Sequence, residues 1–424
     1  SLVGSEMCIR DRCQDYAMCS TDNGIAVAVL SDGHGGSRYF RSDVGSKTIV
    51  ECTFKKVMGF VENIDSSIFE GKPFTAVSAL TTERKEENLR KNSKVDDQLN
   101  QLFKSIIFGW RTMVEQHAKE NPFTDEELKL ITDPQDLHSI DKTYGCTLMC
   151  YVRTPMYWFA FHLGDGKCFS FDGDGNWKEP IPWDERCFLN KTTSICDTDA
   201  LSEFRYCYQG NGDYPVAVFL ASDGLDDSFG ESYNQANFYI QILKLIANTS
   251  NNDAQKEIED TLPQLSKIGS QDDMSVACLY DEKELEFILP KLILWQRSNV
   301  EKQIAAVNEK ILVAKAKMSK YSPLKFYTKK ELIEAQYAQT DIERLFISKR
   351  ELATKYNRFT SELPSTSSHA DYDDEIGLYE YKEEEKRQTL TAEQIRKRLR
   401  VLSHPMYKFD ICCLLYTSPS PRDS

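Results

Sequence analysis

With 66 acidic against 52 basic residues in 424, the chain carries a net charge of −14. An acidic chain of this kind argues against a nucleic-acid partner. Its apolar runs fall short of a membrane span, since the best of them, Phe287 to Trp295, contains Pro290 and Lys291. Hydrophobic residues make up 41% and aromatics 11%, enough for a full core, and the length allows one large domain with an appendage or two domains.

The two ends read as foreign. Leu2 to Asp11 (LVGSEMCIRD) and Cys413 to Asp423 (CLLYTSPSPRD) resemble opposite-strand translations of one transposase-type sequencing adapter. Ser418 to Asp423 can be encoded TCT CCG AGC CCA CGA GAC, whose reverse complement, read from the third base, gives Leu-Val-Gly-Ser-Glu, the run Leu2 to Glu6. Residues 1–12 and 413–424 are therefore set aside as adapter-derived. On that reading the native chain starts upstream of Cys13, and no secretory signal is readable. Of the thirteen cysteines, Cys8 and Cys413 fall in the end segments, and the others form no Cys-x-x-Cys pair. Cys146, Cys150, Cys168, Cys207 and Cys278 lie in or beside strand-like runs, where a thiol is a small buried hydrophobe. A reduced, cytoplasmic protein follows, without zinc or disulfides.

Taken in order, Ile25 to Leu30 is an unbroken apolar run, the pattern of a strand buried on both faces, and it delivers Asp32 to its end beside His34 and the glycines Gly33, Gly35 and Gly36. Ser46 to Phe60 and Asp96 to His117 are predicted helices. Thr82 to Lys94 reads as a charged stretch, solvated or loop-like, and Thr124 with Glu127 forms a capping box. His117 and His138 have no partner at ligand spacing and read as surface residues. Tyr144 to Tyr151 and Tyr157 to Phe171 predict paired strands, within which Trp158 to Leu163 runs into Gly164, Asp165, Gly166 and Lys167. His162 reads as core or as support for a site. Asp172 to Asn176 (DGDGN) is a hairpin turn, too short for a calcium loop.

Val216 to Ala221 is a second apolar strand, and it too ends in an acid and a glycine, Asp223 and Gly224, after Ser222. Gly269 to Tyr280 (GSQDDMSVACLY) reverses the order, with Asp272 and Asp273 entering the short strand Met274 to Leu279. Like charges a few ångströms apart resist joint ionisation. Carboxylates gathered at strand ends, with a glycine carbonyl, are what hard divalent cations require.

The motifs DGHGG, LGDGK, SDG after a strand and GSQDDMS, over roughly Cys13 to Asp281, resemble the type 2C, metal-dependent protein serine/threonine phosphatases, in the manner of a bacterial-like member. The resemblance implies an α+β fold, an α/β/β/α sandwich of two antiparallel sheets flanked by helices. It also implies a binuclear Mn2+ or Mg2+ centre, with a possible third ion, whose bridging hydroxide attacks phosphorus in line. Carried over by position, the metal residues are Asp15, Asp32, Gly33 through its carbonyl, Asp223 and Asp272, with Asp165 at the third, weaker ion. The catalytic residues are Asp32 as bridging ligand and His34 as general acid. The chain departs from the family where Gln14-Asp15 replaces Glu-Asp, so that Asp15 is the metal-side residue of that pair. GDGK replaces GDSR, and Asp273 stands where an Asn often follows the last ligand. The segment Phe229 to Ile268 falls where the family often places a flap shaping substrate access, although its apolar stretch Phe238 to Ile246 reads as packing.

Beyond Asp281 the character changes. Pro290 is expected to break the run, and Val300, Ile304, Val307, Ile311, Ala314 and Met318 step as a heptad seam. Thr328 with Glu331 caps a second helix to about Asn357, which makes residues 282–360 a helical hairpin or coiled coil available to a partner or to self-association through 300–357. Residues 361–388 read as a disordered acidic linker and 389–412 as a short helix capped by Thr391 with Gln394. The expected function is hydrolysis of phosphoserine and phosphothreonine in proteins, within signalling, with phosphorylated proteins as partners and neither nucleic acid nor membrane. Two rivals remain: a catalytically inactive scaffold binding phosphoproteins through its helical extension, and a hydrolase of small phosphoesters. Intact Asp32, Asp223 and Asp272 argue against the first.

Overall fold

The computed structural model describes residues 2–3, 13–78, 82–184, 186–187, 192–321 and 329–364, with backbone alone for 2–3, 82–93, 329–330 and 332. Its elements in chain order are β1 (Leu2–Val3), β2 (Tyr16–Asp22), β3 (Ile25–Ser31), α1 (Ser42–Asn63), β4 (Thr75–Val77), α2 (Thr82–Glu120), α3 (Asp125–Leu128) and α4 (Leu137–Thr143). They continue with β5 (Leu148–Arg153), β6 (Trp158–Leu163), β7 (Lys167–Phe171), β8 (Trp177–Lys178), α5 (Ala200–Glu203), β9 (Arg205–Gln209) and β10 (Ala217–Ala221). The last are α6 (Asp223–Phe229), α7 (Ser232–Asn248), α8 (Asn251–Ile268), β11 (Val276–Tyr280), α9 (Glu282–Met318) and α10 (Lys329–Ser361).

Period-two alternation explains the layering. Along β3, Val27 and Val29 join a cluster with Ile49, Val50 and Val57 of α1 and Phe103, Ile106 and Trp110 of α2. Ala28 and Leu30 face the other way, into a cluster with Val218 and Leu220 of β10 and Ala277 and Leu279 of β11. β6 divides likewise, with Phe159 and Phe161 on the helix side and Trp158 and Ala160 between the sheets. Two antiparallel sheets therefore stack face to face, β2-β3-β5-β6-β9-β4 and β1-β11-β10-β7-β8. Helices cover the outer faces: α1 and α2 lie on the six-stranded sheet, while Tyr239 of α7 stacks on Phe219 of β10 at 4.3 Å. Each large side chain fully enclosed in these layers contributes about 1.5–3 kcal/mol of burial. The architecture is the expected α/β/β/α sandwich.

Several local expectations change. The stretch 82–94 belongs to α2 rather than to a loop, since a run of Glu, Lys and Arg has good helix propensity and simply extends the apolar part of the helix. The segment Tyr157 to Phe171 is two strands in different sheets, parted at Gly164, whose φ of +129° no strand residue with a side chain adopts readily. Residues 229–268 are mostly helical, as α7 and α8, and Phe238, Ile240, Ile242 and Ile246 are buried, as packing requires. The DGDGN segment is a hairpin turn, with Asp172 Oδ1 accepting from the amides of Asp174 and Asn176, both at 2.9 Å. The ten described cysteines form no disulfide with one another. His117 is half-buried and bonds the Tyr144 hydroxyl at 2.9 Å. The Thr124 capping box is present in both directions, at 2.8 and 3.2 Å. Leu2 and Val3, within the segment read as adapter, pair with Leu279 and Cys278 on the edge of the smaller sheet.

The described residues up to Ile288 form one compact unit and those from Leu289 a second. In the second, Val300 and Ile304 pack with Tyr356 and Phe359, while Ile311 and Ala314 pack with Ile342 and Phe346. That pairing of early with late positions is an antiparallel helical hairpin on the expected seam. Pro290 does not end α9, which runs through it. Thr328 and residues 365–424, which include the acidic linker beyond Pro364, the short terminal helix and the second adapter-like segment, lie outside the described residues. Among the described residues no helix is long and apolar enough to cross a membrane.

Candidate metal centre

Strand register brings the acids to one rim. Tyr16 pairs with Ser31 and Met149 with Leu30, so the start of β2, the end of β3 and the start of β5 lie together. Leu148 pairs with Leu163, which adds the end of β6. In the other sheet Ala221 pairs with both Lys167 and Val276, which places the end of β10 beside the starts of β7 and β11. Asp15, Asp32, Asp165, Asp223 and Asp272 each sit at one of these ends, and Gly164-Asp165-Gly166 carries the chain from one sheet to the other there.

Missing side chains close the remaining gaps. A Cβ on Gly33 would meet the Gln14 carbonyl at 2.5 Å, one on Gly166 the Ala221 carbonyl at 2.5 Å, and one on Gly224 would overlap the Asp273 carbonyl. Each Asp-Gly pair thus nests its loop against a neighbour of the next acid. Hydrogen bonds fix the arrangement. Thr147 takes the Asp32 amide on its hydroxyl at 2.9 Å and donates its own amide to the Asp32 carbonyl at 2.8 Å. Asp273 accepts the Gln14 amide at 2.9 Å, tying the last motif to the first.

The field in this rim is strongly negative. Burial pushes Asp15 up to about 6, against the lowering effect of the Ser275 and Ser222 hydroxyls. Asp32 is held well above the carboxylate range by burial and then by the charges of Asp15, Asp223 and Asp165. Asp223 is raised to about 7 by burial and by Asp165, with Asp272 and Asp15 adding to it. Asp165 is raised by burial, opposed by the Thr192 hydroxyl and the charge of Arg205. Asp272 itself is exposed and acts through its charge on Asp15 and Asp223.

As the side chains stand, no three or more His, Cys, Asp or Glu among the described residues converge on a point that would hold a metal ion. The donor set nevertheless fits a hard divalent cation. It offers carboxylates and a backbone carbonyl, and it concentrates buried negative charge that only cations or protons relieve. His34 stands at the edge of this group, its amide donating to the Gly145 carbonyl at 3.1 Å and its ring edge-on to Tyr39 at 5.0 Å. Burial lowers its imidazole to about 4, so it is neutral at pH 7. A phosphate dianion beside it would raise that value.

Some participants carry no signal of their own in the sequence. Thr147, Thr192 and Arg205 touch or charge the acid loops only through the fold. Ser222 and Ser275 lie inside the SDG and GSQDDMS motifs, and their place beside Asp15 explains why those positions are hydroxyls. Lys167, which departs from the family's arginine, pairs with Asp226 at 2.7 Å, one turn beyond Asp223.

Among solved structures, the chain resembles a bacterial serine phosphatase (16% identity, 66% of this chain and 96% of the other, TM-score 0.37). It also resembles the serine/threonine phosphatase Stp1 from Staphylococcus aureus (16%, 66% and 92%, 0.37) and a C. elegans sex determining protein (14%, 68% and 66%, 0.41). Likenesses at these TM-scores carry no weight by themselves. No curated protein matches the chain. The family described as protein phosphatase 2C matches residues 9–263, more than half of the chain and every acid of the rim except Asp272. The chain belongs to the protein phosphatase 2C family.

Proposed function

We propose that this chain hydrolyses phosphoserine and phosphothreonine in proteins with the help of two Mn2+ or Mg2+ ions. The observation that carries the reading is the placement, in a chain of this family, of five aspartates at strand ends along one rim, where the charges of their neighbours help raise Asp32 and Asp223. Asp15, Asp32, the Gly33 carbonyl, Asp223 and Asp272 would hold the two ions, and Asp165 a third, weaker one. When bound, the ions neutralise the phosphoryl oxygens and make a hydroxide nucleophile available at neutral pH. Asp32, which feels the charges of both Asp15 and Asp223, would be the ligand shared by the two ions. His34, with Nε2 enclosed and without a hydrogen-bond partner among the described residues, is free to pass a proton from that nitrogen to the departing serine or threonine oxygen. Phosphorylated proteins are the partners this chemistry implies, and cysteines outside disulfides, eight of the ten described ones buried, suit a reduced, cytoplasmic setting.

The test is phosphate release from a phosphothreonine peptide with Mn2+, with Mg2+ and with chelator. Turnover that needs the metal and disappears in Asp223→Ala supports the reading. Metal binding in calorimetry without turnover on any phosphopeptide overturns it in favour of a phosphoprotein-binding scaffold, and turnover confined to small phosphoesters overturns the substrate class.

A further inference from the structure

Behind the turn that carries Asp165 lies a buried ion network that the chemistry proposed above does not use. Arg205 on β9 is 1% exposed and Asp184 is wholly buried. The Arg205 guanidinium donates from Nη2 to the Gly164 carbonyl, lies 3.1 Å from His162 Nδ1 and donates from Nη1 to the Pro182 carbonyl at 2.9 Å. Its Nε is 3.8 Å from Asp184 Oδ2. Arg186 completes the set, with Nη2 on Asp184 at 2.9 Å and Nη1 on Glu203 at 2.6 Å. Burying this many charges is expensive, and a packed apolar cluster would hold two strands as well.

Both backbone groups of Gly164 are held here. The Gly164 amide donates to Thr193 Oγ1 at 3.0 Å, and its carbonyl takes Arg205 and the Cys187 thiol, the latter at 3.4 Å. The turn is thus held at Gly164 by Arg205, Cys187 and Thr193, with Pro182 and Asp184 holding Arg205 in turn. Gly164 keeps its left-handed φ of +129° under that grip.

We propose that Arg205, held by Asp184, is a positioning residue for Asp165: it fixes the Gly164 carbonyl so that the next carboxylate faces the acid rim and can take part in binding a divalent cation. The inference rests on the metal-dependent reading above. It assigns no new ligand, only the group that aims one.

The experiment is a double-mutant cycle on the full chain, read as Mn2+ affinity in calorimetry and as the Mn2+ half-saturation of p-nitrophenyl phosphate hydrolysis, with thermal unfolding in chelator beside them. Arg205→Met is expected to weaken the Asp165-dependent part of Mn2+ binding about 10–100-fold, the usual cost of losing an outer-shell partner. Arg205→Lys should restore part of it, and in an Asp165→Asn background Arg205→Met should add nothing further, although it still lowers the unfolding temperature. Thr193→Val, which frees the Gly164 amide on the other side of the same residue without stranding a buried charge, should give the same direction of shift, and it carries the test if Arg205→Met does not fold. Mn2+ affinity unchanged in folded variants, or losses from Arg205 and Asp165 that simply add, overturns the proposal while leaving the phosphatase reading in place. A wild-type chain that binds no Mn2+ overturns both.

Discussion

At the scale of single residues, the carboxyls divide into those that gather at the rim and those that pack elsewhere, and burial alone does not separate them. Asp96 is an instance of the second kind. It is buried in α2, accepts the Tyr206 hydroxyl at 2.8 Å, and is raised from 3.8 to about 6, by burial first. An acid raised in the fold favours its protonated form there, so its contribution is fully present below the unfolded value and is lost as pH climbs through the folded one. Asp96→Asn keeps an acceptor for Tyr206 and removes the titration. Its stabilisation relative to wild type should grow between about pH 4 and pH 7 to on the order of 1–2 kcal/mol, after allowance for screening, and then level off; chemical denaturation at a series of pH values checks this. His34 is a residue of the other kind. His34→Ala should slow hydrolysis of alkyl phosphates about 100-fold or more and of aryl phosphates much less, because a phenolate departs without a proton. Equal slowing of the two leaving groups would remove the general-acid role.

At the scale of elements, the acid rim is made by strand ends meeting in register, and the Asp-Gly pairs are the devices that let them meet. Gly224→Ala would drive a Cβ into the Asp273 carbonyl and push the Asp272 loop away from Asp223. It should cost about 1–3 kcal/mol of stability and raise the Mn2+ concentration needed for half-maximal turnover; unfolding curves and metal titration read the two effects separately. The elements also show where local pattern misleads. A proline in an apolar run reads as a break, yet α9 continues through Pro290 and α8 through Pro263, because losing one helical hydrogen bond is tolerated when the rest of the helix is packed. The run Tyr157 to Phe171 looks continuous in hydropathy, but Gly164 sends its halves to different sheets and leaves Asp165 at the crossing.

At the scale of the whole molecule, the unit up to Ile288 has its own two cores, one between helices and sheet and one between the sheets, and the unit from Leu289 has a separate seam. Deleting everything after Ile288 should leave metal-dependent hydrolysis of p-nitrophenyl phosphate largely intact; its complete loss would show that the hairpin belongs to the catalytic core. By itself the sequence determined the main strand runs, the order of the acid-bearing motifs and the heptad seam, while the sandwich class came only through the family resemblance those motifs carry. These follow from periodicity and from short stretches whose chemistry is local. Only the tertiary structure decided which strand ends share a rim, that 229–268 is a helical layer and that Gly164 switches sheets. It also decided that Arg205, some forty positions from Asp165, grips the turn that carries it. Contacts of that kind are set by register between distant segments, and no window along the chain contains them.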